Sequence, residues 1–394
     1  MTPFLRKILG MNWVLVFVMY ALLIFGVFMI ESAARHLPVD SSILEQFGSA
    51  GGYYAEMQKK WILVGSVAYF SAALVDYKWI RWLGVPLYAV SLGLMVLAMQ
   101  ADDEVHRLSV GGLSFQPAQL GVTSGIIMIA WLMHDLPKIH ASLRNPFFRI
   151  GIIGVVSAVP FLLVMKMGDM GSALVWIPVV IVALLVAGIP FRFLSFIAFI
   201  SAGVLPILYF VILPLVSERG PDRIDLWLRM MQGQEVDIRG DGYAPHNVSM
   251  AVGKAGWKGV GWKATSADGS LHDKKFIPHL TAHNDFIFAV IAEELGFRGA
   301  LLLLGSFALL LIQGLFIGFY SRDVAGRLIV CMVVALIFAH VYENIGMCVL
   351  LMPITGIPLP LVSYSGTFVV ICMFLLGLVQ SVWVHRHKGR VEAT

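Results

Sequence analysis

Ten apolar runs, each near the length of a bilayer-crossing helix, divide this chain and leave little room for any other architecture. They lie near 12–30, 59–75, 81–98, 117–134, 148–165, 170–187, 192–215, 286–317, 327–350 and 363–384. A hydrocarbon core about 30 Å thick takes about 20 apolar residues in a helix. None of the runs has the two-residue alternation of a membrane β-barrel. Hydrophobic residues make up 59% of the 394 and charged ones 13%, more apolar sequence than a soluble core of this size needs. The prediction is an all-α, polytopic integral membrane protein with about ten transmembrane helices. It forms one domain over 1–394, with one large extracytoplasmic loop, 216–285, between the seventh and eighth spans.

Lysine and arginine in the short loops set the expected orientation. Arg6 and Lys7, Lys78 and Arg81, Lys138, Arg144 and Arg149, Arg192, Arg322 and Arg327, and Arg386, Lys388 and Arg390 fall at one set of helix ends. With ten spans, both termini are then cytoplasmic. The 216–285 loop is also basic, but loops of that length translocate regardless of charge, so it is expected outside. The first run follows Arg6 and Lys7 as in a signal peptide, yet its apolar stretch is longer than a cleavable one usually is, which favours an uncleaved anchor. Cys331, Cys348 and Cys372 lie in or beside apolar runs without metal-ligand spacing, and no disulfide is expected. The net charge of +4 reads as membrane topology, so nucleic acid is not an expected partner.

The longest cytoplasmic connection, from Asp135 to Phe148, is too short for a Rossmann-type unit, and no GxGxxG or Walker-type loop occurs. Chemistry on a cytosolic nucleotide is therefore disfavoured. A substrate should come through the membrane or at its outer face. Several places are polar or broken where a plain span would be apolar. Val105–Gln119 carries a tight turn at Gly111-Gly112 and puts Pro117 in the first turn of the next helix. Lys166 and Asp169 sit between two spans, where a local ion pair closing the loop is the plainer reading. Met352–Gly366 has three prolines in eight residues and cannot continue a helix; such backbone is tolerated at membrane depth only against protein or water. Gly253–Lys263 alternates glycine, tryptophan and lysine, which suits an interfacial turn with lysines near lipid phosphates.

Where the long loop re-enters the membrane it reads His283-Asn284-Asp285-Phe286. A carboxylate at the mouth of an apolar helix is costly to desolvate, so binding or chemistry is its default reading. The plain alternative is that Asn284 or Asp285 N-caps the eighth helix. Glu293, about two turns on and near the same face, either lines a cavity or makes a structural hydrogen bond. Glu294 and Arg298 have the spacing of an intrahelical pair. His340 and Glu343 share a face of the ninth span and read as glue between helices.

Together these segments resemble the SEDS family of bacterial cell-envelope proteins, its RodA branch more than its FtsW branch. The resemblance rests on Phe115-Gln116-Pro117, Asp169 with Gly171, Gly242-Tyr243, the glycines of 253–261 with Trp262, His283 and Asp285 through Glu293-Glu294-Leu295-Gly296, Asn344-Ile345-Gly346-Met347, and Pro353 through Ser363-Tyr364. These occur in family order over nearly the whole chain. The family pattern is departed from at Leu108, Ala118-Gln119, Gly168, Leu280-Thr281 and Ser365-Gly366-Thr367, which marks a divergent member.

The resemblance implies a peptidoglycan glycosyltransferase that polymerises lipid II at the outer face of the inner membrane, for cell elongation and shape, with a class B penicillin-binding transpeptidase as partner. Asp285 is then the base that takes the proton from an attacking sugar hydroxyl. A lipid diphosphate calls for cations, with Arg107 and Lys166 foremost and Arg223 and Lys258 behind them. Asp169, His283 and Gln116 join the substrate-binding set, while Glu293, Ser363 and Tyr364 support it. No cofactor is certain. A divalent cation, Mg or Mn, held by Asp169 and Asp285 with the diphosphate is compatible, although no dedicated metal-ligand motif is present. The rival readings are a flippase for the lipid-linked precursor and a non-catalytic scaffold for the transpeptidase.

Overall fold

The computed structural model describes residues 3–100, 108–110, 113–207 and 220–386. Each apolar run that was read from the sequence carries a helix. These are α1 (Trp13–Ala33), α2 (Ala50–Leu74), α3 (Gly84–Ala98), α4 (Pro117–Ile139), α5 (Pro146–Lys166), α6 (Trp176–Val186, preceded by a short turn Met170–Leu174) and α7 (Phe191–Ile207). After the loop helices α8 (Gly220–Met231) and α9 (Tyr243–Lys254) come α10 (Ile287–Phe319), α11 (Val324–Cys348) and α12 (Thr367–Val384). The protein is an all-α, multi-pass membrane protein. Its one described sheet is a small hairpin, Leu108–Val110 against Leu113–Phe115, paired Leu108 to Phe115 and Val110 to Leu113. Pro117 then opens α4, where its missing N–H leaves no bond unmade.

The helices are not equivalent. Within its most apolar window α11 is 72% buried, whereas α5 is 28% and α10 33% buried. Thus α11 is the central post, with α4, α6, α10 and α12 around it. Glycines set some of these contacts: a Cβ on Gly377 of α12 would lie 2.5 Å from the Tyr69 carbonyl oxygen of α2, so the two helices meet backbone to backbone. Outward, Phe17, Leu63, Phe199, Leu302 and Phe319 are exposed, as a lipid-facing surface requires. The first run is a working part of the bundle, since Leu15, Met19 and Leu23 of α1 are fully buried.

Contacts sort the helix ends into two sets. At one end Lys7 donates to the Leu74 carbonyl (2.7 Å), and Arg322 reaches Asp76 (3.6 Å) and the His385 carbonyl (3.3 Å). At the other end lie the 220–286 loop and the start of α10. There the loop is clamped to the end of α1: Lys263 pairs with Glu31 (2.6 Å), Arg35 donates to the Ala264 carbonyl (2.8 Å), and His272 meets the Ala33 carbonyl (3.1 Å).

One feature of the loop was not read from the sequence. Gly296 breaks α10 with φ 68° and ψ −168°. The Gly256–Gly261 segment fills the break with backbone pairing. Val260 and Gly261 donate to the carbonyls of Glu293 and Glu294 (both 2.9 Å), while Phe297 and Arg298 donate to Gly256 and Trp257 (2.9 and 3.3 Å). A Cβ on Gly259 would lie 2.4 Å from the Glu294 carbonyl oxygen, and one on Gly296 would lie 2.3 Å from the Gly259 nitrogen. The glycine pattern thus serves a joint, with Trp257 and Trp262 exposed beside it.

Candidate active site at the mouth of α10

The chain approaches α10 through tight turns. The Thr281 carbonyl accepts from the N–H groups of Asn284, Asp285 and Phe286 at 3.1, 3.0 and 3.3 Å. The cap position is Phe286, so neither Asn284 nor Asp285 is the N-cap of the helix as the plain alternative had it. The gathered turn delivers Asp285 half-buried, just ahead of the helix.

Opposite it runs the proline-broken segment between α11 and α12. Its inner residues Ile357, Leu359, Leu361 and Val362 are buried, so the irregular backbone lies against protein as expected. Its polar groups are met one by one. Asn344 at the end of α11 donates to the carbonyls of both Asp285 and Ile357, each at 2.8 Å. Ser363 donates through its hydroxyl to the Asn284 carbonyl (2.5 Å) and accepts from Leu359 N–H (2.8 Å). Tyr364 N–H donates to the His283 carbonyl (3.0 Å), and Gln58 of α2 donates to the Ser363 carbonyl (3.4 Å). At the centre is Gly356, with φ +75°; a Cβ there would stand 3.5 Å from Asp285 Oδ2. The carboxylate therefore lies against the Gly356 backbone, on a chain pinned from both sides.

His283 does not present a cation. It is buried between the rings of Tyr54 and Tyr364, with centroids 4.9 and 5.6 Å away. Burial pushes its pKa down to about 4, so the ring is neutral at physiological pH. Its role as placed is to pack the aromatic wall beside the aspartate.

Asp169 belongs to the same region. It caps the Met170–Leu174 turn by accepting from Ser172 N–H (2.9 Å), and its other oxygen accepts from Gln116 Nε2. Those contacts define the loop, and Lys166 stands exposed at the end of α5, so the expected Lys166–Asp169 closure is replaced by a cap and an amide. A Cβ on Gly171 would strike Ile357 and Thr355, so this turn packs directly behind the Gly356 wall. Each Asp169 oxygen accepts one hydrogen bond, and among the described residues no three His, Cys, Asp or Glu side chains converge. A divalent cation held there by Asp169 and Asp285 would depend on the diphosphate for its remaining ligands.

The remaining predicted residues divide clearly. Glu293 is buried and accepts from the backbone N–H groups of Leu271 and His272, so it fastens the loop and does not line the site. Glu294 accepts from the Ser32 hydroxyl instead of pairing with Arg298, because Gly296 interrupts the helix between them. Lys258 is exposed in the glycine joint. Arg223 of α8 donates to the Ile354 carbonyl (3.4 Å), two residues from Gly356. His340 contacts the Leu336 carbonyl (2.9 Å) and Phe368, which fits the helix-glue reading. Arg107 lies outside the described residues. Gln58, Tyr54 and the positioning role of Asn344 were missed. The signal for the first two was a polar amide and a tyrosine in the less apolar half of α2, a place where lipid contact gives them no purpose.

The family model for the cell cycle proteins FtsW, RodA and SpoVE matches residues 12–388. The chain belongs to that family. Among its relatives, the peptidoglycan glycosyltransferase MrdB of Escherichia coli K12 is 31% identical over 306 residues, covering 76% of this chain and 77% of MrdB. Stage V sporulation protein E of Bacillus subtilis is 28% identical over 375 residues, covering 93% and 95%. In fold the chain is similar to a chain of a peptidoglycan synthase complex that coordinates polymerization and crosslinking (TM-score 0.75, 23% identity, 96% and 99% covered). It is also similar to the rod shape determining protein RodA of Thermus thermophilus (TM-score 0.64, 23% identity, 96% and 98% covered). The family member resembled in the sequence is thus the family found.

Proposed function

We propose that this chain is a peptidoglycan glycosyltransferase that joins lipid II units into glycan strands at the outer face of the bacterial cytoplasmic membrane. Relatives bearing that activity in their names support it. The observation that carries it is the Asp285 carboxylate, held at a helix mouth against the bare backbone of Gly356. The acceptor in this reading is a sugar hydroxyl brought to that carboxylate. Asp285 takes the proton of that hydroxyl as its oxygen bonds to the anomeric carbon of the donor. The anomeric C–O bond breaks, its electron pair leaves with the lipid diphosphate, and the proton passes from Asp285 to water. Because diphosphate is a good leaving group, one base suffices. Lys166 and Arg107 are the cations assigned to the diphosphate.

The positive-inside pattern supports cytoplasmic termini and an outer 220–286 loop. The partner is a class B penicillin-binding transpeptidase, a reading supported by the fold shared with a chain of a polymerising and crosslinking complex. Purified wild type and Asp285→Ala, with and without that partner, are given lipid II and the glycan is sized on a gel. Wild type should polymerise and the variant should lose at least about 100-fold in rate, the lower range for a general base. Absence of polymer from wild type under every partner condition would sink the proposal, and lipid II translocation in vesicles without polymer would replace it with the flippase reading.

A further inference from the structure

A cavity of about 400 Å³ lies between the first two loop helices and the start of the broken segment. One face of α8 forms its side: Arg223, Trp227 and Met230 line it, while Asp225 and Arg229 pair with each other (2.7 Å) and are not part of the lining. Asp241 and Met352 complete the rim and floor. Two bonds fix the walls. Trp227 Nε1 donates to the Leu350 carbonyl (2.9 Å), which leaves its ring half-buried against the cavity, and Arg223 holds the Ile354 carbonyl. The lining ends at Ile354, two residues before the Gly356 that lies against Asp285.

Its chemistry is specific. The lining holds two carboxylates, Asp222 and Asp241, against one guanidinium, Arg223. That balance repels a diphosphate, which carries at least two negative charges. It suits a neutral saccharide: carboxylates accept from hydroxyls, an aromatic face packs on ring C–H groups, and a volume of this size lies in the range of small-ligand sites. On the reading given under Proposed function, we propose that this cavity holds an N-acetylated sugar unit of the growing glycan, next to the bond being formed. Arg223 is thereby moved from the diphosphate set to the sugar set.

The test uses chitotetraose, a neutral N-acetylglucosamine tetrasaccharide, titrated by saturation-transfer NMR onto the full chain in nanodiscs. Wild type and Asp285→Ala should bind it alike. Trp227→Ala and Asp241→Asn should each bind about tenfold more weakly, the scale of one hydrogen bond to a charged group. Asp241 is exposed, so its conservative replacement keeps the fold even if Trp227→Ala does not. Inorganic pyrophosphate should not displace the sugar. No binding, binding indifferent to both variants, or displacement by pyrophosphate would each overturn the inference. Such results, with polymerisation still lost in Asp285→Ala, would leave the proposed function standing. Sugar binding lost in Asp241→Asn, in a chain that makes no polymer, would support the sugar site while removing that function.

Discussion

Asp285 and Glu293 lie eight residues apart at the same end of α10, yet they meet opposite surroundings. Glu293 is 2% exposed and takes two backbone N–H groups, from Leu271 and His272. Asp285 is half-buried and looks onto a glycine. A carboxylate wrapped in N–H donors is a fastener, because its charge is spent on holding the loop. Asp285 instead sits where a loop, the end of α11 and the broken segment meet, with its backbone carbonyl held by Asn344. The comparison separates structural acid from site acid more sharply than position along the helix does.

Exchanging the two roles by mutation is the most direct way to break that contrast. Asp285→Asn should leave the thermal midpoint near wild type while abolishing polymer to the same degree as the alanine variant. If it folds and still polymerises, the base is elsewhere. Glu293→Ala should do the reverse. It strands two buried N–H donors and should cost about 3 kcal/mol of stability, read as a lower unfolding midpoint in detergent, with the surviving folded fraction still polymerising. A Glu293 variant that is stable but inactive would merge the two acids into one site.

A smaller effect is expected from Gly356→Ala. The φ of +75° makes any side chain there strained by about 1–2 kcal/mol, and its Cβ stands 3.5 Å from Asp285 Oδ2. Polymerisation should fall at least about tenfold, since small misplacements at a reacting group are costly, with the fold retained on size exclusion. Unchanged activity would show that the glycine face is not where the acceptor comes.

The smallest effect concerns pH. Burial first, and then the neighbouring Arg35, push His272 down to about 3, and burial alone pushes His283 down to about 4, both from an ordinary 6.5. The unfolded chain therefore binds more protons between those values and 6.5, and stability falls as pH drops through that window. Each histidine contributes at most about 1.4 kcal/mol per pH unit. Unfolding midpoints at pH 7.5, 6.5 and 5.5 should decline below 6.5, and His272→Gln should flatten the decline. A flat profile in wild type would mean that these rings are not buried neutral.

Much of this was legible in the chain. Hydropathy located the helices of the bundle but not the loop helices α8 and α9, because a bilayer demands about the same length of apolar sequence each time and a polar loop does not, and Asp285 stood out because desolvating a carboxylate is costly. What was not legible depends on long-range pairing. Nothing local in Asn344 says that its amide spans the carbonyls of Asp285 and Ile357, 59 and 13 residues away. Spacing made Glu294 and Arg298 a pair, but a single glycine with positive φ overrode the period. Gln116 and Asp169 were both singled out, yet their bond joins two loops 53 residues apart, and only the packing of Gly171 on Ile357 brings them behind the site.

The joint at Gly296 also changes what α10 can transmit. In an unbroken helix, tilting the lipid-facing Phe297–Phe319 portion would swing its first turns, and with them the neighbourhood of Asp285. Here the hydrogen bonds that would carry that torque are handed to residues 256–261. The break sits at the glycine, and the turns ahead of it are braced by the loop. The turns beside Asp285 are therefore tied to the outer loop through backbone bonds that a continuous helix would have kept to itself.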